Sequence, residues 1–367
     1  MGNLLSLQYF HLHTAASMAS NQRRQTVWQR VIPELAETHQ FLMHLLLAFG
    51  GIHKITDRLS QPPDEDIPSP VTIQVAIHHH QKGLQGFREE VARISNANAE
   101  AVYAGSLLLV GFIYASLLVP ELNSFAARPS PGSVQKPQVS WLHLIRGVPT
   151  VIQDQWHTLK ASRMRPTVLY FHGVEYWENP PFVSPVSFGA CSPRLLVFAE
   201  GAAHAVADLK AACASLASPD ESQSQSQSQS PLPTDAEDPL TQAVAALEPV
   251  LSRVLSALQY SISEHGNPSP SDMRAELEDA AVLSWPSWLP DEFISLLDTG
   301  EASDPTWCLA LVILAHYYVV NVLVDWWFLR AFAGEICRIQ EVFVRMGDSS
   351  LQRLMRWPVR VVDPDPS

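Results

Sequence analysis

Along most of the chain, apolar residues recur at the three- and four-residue spacing of a helix, and strict alternation is sparse and short. This pattern predicts an all-α protein, with helices near 3–19, 26–36, 39–59, 70–95, 97–119, 139–160, 191–216, 236–264, 271–283, 290–298, 304–342 and 347–356. The stretch 70–95 is amphipathic: Ile73, Ile77, Leu84, Phe87, Val91 and Ile94 lie on or near one face. Lys82, Arg88, Glu89 and Arg93 lie on the other.

Two further stretches are apolar all round. Val102 to Val119 carries no charge, and in Thr306 to Val324 only His316 titrates near neutral pH. About 20 apolar residues span a bilayer. Gly105, Ser106, Gly111 and Ser116 interrupt the first, however, and Tyr317, Tyr318 and Asn321 the second, and neither is flanked by Lys or Arg clusters. Both therefore read as the central helices of a large soluble domain rather than as an integral membrane protein.

Proline-rich breaks separate the helices, giving loops at 60–70 and 120–140 and a further break from Pro180 to Pro185. Residues 218–239 contain a Ser-Gln repeat followed by prolines and acids. Such a composition cannot bury enough apolar surface to order itself. The helical segments on either side look incomplete alone, so residues 1–367 read as one helical domain carrying a disordered insert.

The stretch from Pro305 onward is the most informative. Asp304 and Pro305 have the types expected at N-cap and N1. Ile313, His316, Val320, Leu323 and Trp327 then fall on one face, with Tyr317, Asn321 and Asp325 as a polar ribbon beside it. Buried polar groups need partners. The ribbon is either a satisfied network between core helices or the wall of a ligand pocket, where a few polar groups orient an apolar molecule. Tyr103, Leu107, Val110 and Tyr114 share helical spacing and offer an opposite wall or plain core. The candidate ligand-binding residues are thus Tyr103, Tyr114, His316, Tyr317, Val320, Asn321, Asp325 and Trp327.

Composition narrows the function. Formal net charge is -13, from 24 basic and 37 acidic side chains, and no basic cluster offsets it locally, so direct nucleic-acid binding is not expected. Cys191, Cys213, Cys308 and Cys337 show no metal-site spacing. Cys308 and Cys337 sit in apolar helical patterns, as buried thiols do in a reducing cytoplasmic or nuclear compartment. No secretory signal is visible, although Met1-Gly2-Asn3-Leu4-Leu5-Ser6 fits the short N-myristoylation pattern.

His78-His79-His80 fan out about 100° apart on a helix and cannot converge on one ion, so they read as polar residues on a helix flank. There is no Gly-rich phosphate loop, no G-x-S-x-G elbow and no H-E-x-x-H. The sequence thus assigns no catalytic residue, metal or cofactor.

Several segments, in order, resemble the C-terminal regulatory region of fungal Zn(II)2Cys6 transcription factors, especially of the sterol uptake control type. They begin with Asn3-Leu4-Leu5-Ser6-Leu7, Tyr9-Phe10-His11, Trp28, Phe41 to Ala48 and His53. Ala76, His78-His79-His80, Leu84 and Phe87-Arg88 follow, then Trp141-Leu142 with Arg146-Gly147-Val148. The fullest match is C-terminal: Trp285-Pro286, Pro290, Phe293, Leu296, Ala310 to Tyr317, Trp326-Trp327 and Trp357-Pro358. The resemblance implies a helical bundle around a hydrophobic pocket that binds a sterol or similar lipid, with the Pro305–Arg330 stretch contributing to it. The family's six-cysteine zinc cluster has no counterpart among these residues.

Two main expectations follow. One is a regulatory domain that binds a small apolar ligand of sterol, terpenoid or polyketide type, partnered by a second copy or a DNA-binding protein. The other is a non-redox enzyme of secondary metabolism that uses the same pocket to cyclise a hydrophobic substrate, which requires confinement more than a catalytic motif. A structural adaptor is a third.

Overall fold

The computed structural model describes residues 2–60, 70–122, 139, 141–172, 192–217, 238–265, 269–280 and 282–364. The predicted loops at 60–70 and 120–140, the Pro180 to Pro185 break, the insert 218–239 and Cys191 lie almost wholly outside them. Among the described residues there is no β-strand; the architecture is all-α, as the periodicity requires.

The N-terminal half runs α1 (Gly2–Tyr9), α2 (Ala15–Ser17), α3 (Gln22–Thr26), α4 (Ile32–Thr38), α5 (Gln40–Leu59), α6 (Pro70–Ala92), α7 (Ala99–Ser116), α8 (Trp141–Asp154), α9 (Trp156–Ala161) and α10 (Arg165–His172). Single π-helical turns at Phe10–Thr14 and Val27–Val31 join α1 to α2 and α3 to α4 without a break. The C-terminal half runs α11 (Pro193–Ala217), α12 (Pro239–His265), α13 (Pro270–Asp279), α14 (Asp291–Thr299), α15 (Pro305–Val324), α16 (Ala331–Met346), α17 (Ser349–Leu354) and α18 (Arg356–Val362). Short 3-10 turns, Val282–Trp288 and Trp327–Leu329, bracket α14 and α15.

Each half is built round one greasy helix. In α5, Phe41 and Phe49 lie against Gly105 and Gly111 of α7, while Gly83 and Gly86 let α6 approach so closely that a Cβ would meet Leu45 and Phe41 at 2.5 and 2.7 Å. The second centre is α15, in which every residue from Trp307 to Val324 is buried. Both α7 and α15 are long and apolar enough to cross a membrane by composition alone, yet 83% and 100% of them is buried inside the helical body. One continuous apolar core links the halves.

The long helix expected over 304–342 is two helices. It begins as expected, with Asp304 Oδ1 accepting from the Thr306 amide at 2.8 Å and Pro305 at N1. It ends at Val324 because Asp325 takes a left-handed conformation (φ 51°). The chain then turns through Trp327–Leu329 before α16 starts. Likewise the stretch expected over 139–160 divides at Gln155 into α8 and α9. Cys213 and Cys308 are buried, but Cys337 faces solvent on α16, contrary to expectation.

Candidate functional site

Tyr317 and Tyr318 are successive residues of α15 and so point about 100° apart. Tyr317 stacks on Trp285 of the Val282–Trp288 turn, with centroids 4.5 Å apart. Tyr318 packs on Phe332 of α16 at 4.6 Å. Trp141, from the first turn of α8, touches both tyrosines at 6.3 and 6.1 Å. Tyr114, from the last turn of α7, closes the cluster against Trp141 (5.3 Å), Phe332 (5.2 Å) and Phe328 (6.3 Å). Elements from both halves of the chain meet here.

The polar atoms of this cluster stand out. The hydroxyls of Tyr114 and Tyr317 and both amide atoms of Asn321 have no hydrogen-bond partner, and the three residues are 1%, 0% and 0% exposed. Asn321 sits one turn beyond Tyr317, near enough to offset part of the upward shift of its hydroxyl, but without hydrogen-bond geometry. Burial pushes the Tyr114, Tyr317 and Tyr318 hydroxyls well above the usual tyrosine range, so all three remain neutral donors. Leaving such a group buried and unpaired costs about 1–3 kcal/mol. Phe and Leu would fill the same space without that cost, so the unpaired polar atoms single this cluster out as the candidate site.

Tyr114, Tyr317 and Asn321 are the candidate residues brought together. The others are elsewhere. Tyr103 lies three turns back along α7, and its hydroxyl donates to the Thr167 carbonyl at 2.8 Å. The His316 ring donates through Nδ1 to Val312 O at 2.7 Å and leans towards Trp357. Val320 is core. Asp325 does not continue the polar ribbon, because the helix has ended; it is exposed, 3.8 Å from Arg330. Trp327 stacks on His53 at 3.8 Å.

Two grooves open elsewhere, and neither is lined by Tyr114, Tyr317 or Asn321. One, of about 660 Å³, runs past the start of α15 between α11 and α17, over Leu216, Cys308, Leu309 and Leu351. The other, of about 550 Å³, lies beside the three consecutive histidines. These do not behave alike. His78 is exposed and His80 stacks on Phe112 at 4.0 Å, but His79 turns inward instead of lying on the flank. Its Nε2 donates to Asn3 Oδ1 at 2.9 Å, and its Nδ1 meets Nδ1 of His44 at 2.8 Å. With Nε2 protonated, the His79 Nδ1 lone pair accepts from His44, which ties α1, α5 and α6 together through shared protons. No group of three or more metal-ligating side chains occurs among the described residues.

Residues 5–163 match the family described as fungal specific transcription factor domain. The chain is related to fungal specific transcription factors. It is 31% identical over 137 residues to sterol uptake control protein 2 of Candida albicans, covering 37% of this chain and 17% of that protein. It is 28% identical over 169 residues to sterol uptake control protein 2 of Saccharomyces cerevisiae, covering 44% and 16%. A Zn(2)-C6 fungal-type transcription factor of Gibberella zeae is 21% identical over 365 residues, covering 98% of this chain and 62% of that protein. The chain therefore spans about a sixth of the length of the first two relatives and under two thirds of the third.

Within this transcription-factor-like chain, Tyr114 and Trp141 belong to the matched region, whereas Trp285, Tyr317, Tyr318, Asn321 and Phe332 lie beyond it. Trp141, Trp285, Tyr318 and Phe332 were not singled out as site residues by sequence. Tyr318 gave the best available signal, a second tyrosine beside Tyr317 in a mostly aliphatic helix. Contacts between separate elements leave no periodic trace.

Proposed function

We propose that this chain is a ligand-binding regulatory domain that takes up a small apolar molecule of sterol, terpenoid or polyketide type at the Tyr114–Tyr317–Asn321 cluster. It acts in the nucleus or cytoplasm and leaves DNA contact to another module or to a partner protein. The observation that carries the reading is the set of fully buried, unpartnered hydroxyl and amide atoms inside an otherwise apolar aromatic cluster. The cluster joins the two halves of the fold, so a molecule held there would bias how they pack, which is what a regulatory domain requires. The names of two relatives, sterol uptake control proteins, favour a sterol-like ligand. A net charge of -13 favours DNA contact made elsewhere.

The test is mass spectrometry of organic extracts from the purified protein, repeated after incubation with lipid, terpenoid and polyketide fractions. A single apolar molecule recovered unchanged at near-stoichiometric amount supports the proposal. Conversion of an offered molecule to an isomer of equal mass would make the chain a cyclase instead. Recovery of nothing from any fraction would contradict both.

A further inference from the structure

Among the described residues, the buried carboxylates and guanidinium groups are compensated, with one exception. Glu278 is fully buried, but it accepts from the Ser20 amide at 2.9 Å and faces Arg24 and Arg274 at 3.8 and 3.4 Å. Glu335, 2% exposed, pairs with Arg338 at 2.7 Å. Arg253, in the middle of α12, is 1% exposed and has no such partner. One Nη donates to Ser284 Oγ at 3.3 Å, while Nε and the other Nη have no acceptor. Desolvation pulls its guanidinium down to about 10, with no carboxylate offsetting it. The group is still cationic at neutral pH. A buried, uncompensated guanidinium is among the costliest arrangements a fold can hold, and its planar fork matches a carboxylate.

Ser284 is followed in the same 3-10 turn by Trp285, the indole on which Tyr317 stacks. The cation and the aromatic cluster are thus held by one short turn. We infer that Arg253 and Ser284 seat an acid group on the ligand, which is therefore a carboxylic acid built on a sterol-, terpenoid- or polyketide-like body rather than the neutral lipid itself, that body lying towards the Trp285 end of the turn. This rests on the ligand-binding reading above and specifies the ligand's chemistry.

The test titrates the full chain with dodecanoate, with dodecanol and with inorganic phosphate, reading tryptophan fluorescence and thermal midpoint. Dodecanoate is expected to bind about tenfold or more tightly than dodecanol, the worth of one charge-assisted contact. Arg253→Met should abolish that preference while leaving the unliganded midpoint unchanged or higher, because a buried unpaired charge is removed. Arg253→Lys should retain part of the preference. Equal binding of acid and alcohol would overturn the inference and leave the ligand-binding reading standing. So would an acid preference that survives Arg253→Met. Phosphate binding as tightly as dodecanoate would place a free anion at Arg253 and overturn the amphiphile. Binding of none of the three, with no molecule recovered from extracts, would overturn both readings.

Discussion

The Tyr317 ring lies on the Trp285 indole, with centroids 4.5 Å apart and 29° between the planes. This contact joins the central helix α15 to the short turn before α14. The Trp285 indole N–H donates to the Ala243 carbonyl of α12 at 3.0 Å, which fixes the ring that Tyr317 rests on. The tyrosine hydroxyl is left without a partner.

Trp285 is fully buried, so Trp285→Ala should cost about 3–5 kcal/mol through lost contacts and a large cavity. Tyr317→Phe removes only an unpaired hydroxyl and should change stability by less than about 1 kcal/mol, or raise it. Urea melts of the two variants check both numbers, and a large loss in Tyr317→Phe would show that the hydroxyl is paired.

Gly50 and Gly334 make opposite predictions from the same change. A Cβ at Gly50 would lie 2.5 Å from the Ser6 carbonyl oxygen, a backbone atom of α1 that cannot swing away. Gly50→Ala should therefore destabilise by about 1–3 kcal/mol and loosen α1 from α5. Gly334, inside α16, has nothing within 4 Å of its added Cβ, so Gly334→Ala should stabilise by about 0.5–1 kcal/mol. Denaturant midpoints for the pair would decide it.

His53, His80 and His316 are held neutral mainly by burial, which lowers each to about 4 from 6.5. The unfolded chain binds these protons first as pH falls, so stability is full above about pH 6.5 and is lost as pH falls from there towards 4. The slope of unfolding free energy between pH 6.5 and 5 should be positive, with His44 and His79, also lowered by burial, adding to these three and the raised Glu278 opposing them. His316→Phe should remove one proton's worth. A flat profile between pH 7 and 5 would refute the burial of these rings.

The fold class and the two central helices were legible because their apolar residues repeat with the helical period and run unbroken through Val102–Val119 and Thr306–Val324. The start of α15 was legible in Asp304 and Pro305. Its end was not, since Asp325 is no standard helix stop and only its left-handed backbone breaks the helix. Two candidates were misplaced for that reason: Asp325 points to solvent, and Trp327 joins His53 instead of the α15 face. His79 read as a polar flank because its partner, His44, is 35 residues away on another helix. Arg253 gave no signal at all, since an arginine in an amphipathic helix ordinarily faces water.

Whether Tyr114, Tyr317 and Asn321 contact a ligand rather than each other is decided by Asn321→Leu. Both amide atoms of Asn321 are buried and unpartnered. Ligand contact at Asn321 means unchanged or higher stability, by up to about 2 kcal/mol, together with at least about tenfold weaker binding of the apolar molecule recovered from extracts. A loss of about 1–3 kcal/mol with binding intact would instead show a satisfied structural network in the core and rule out ligand contact at Asn321.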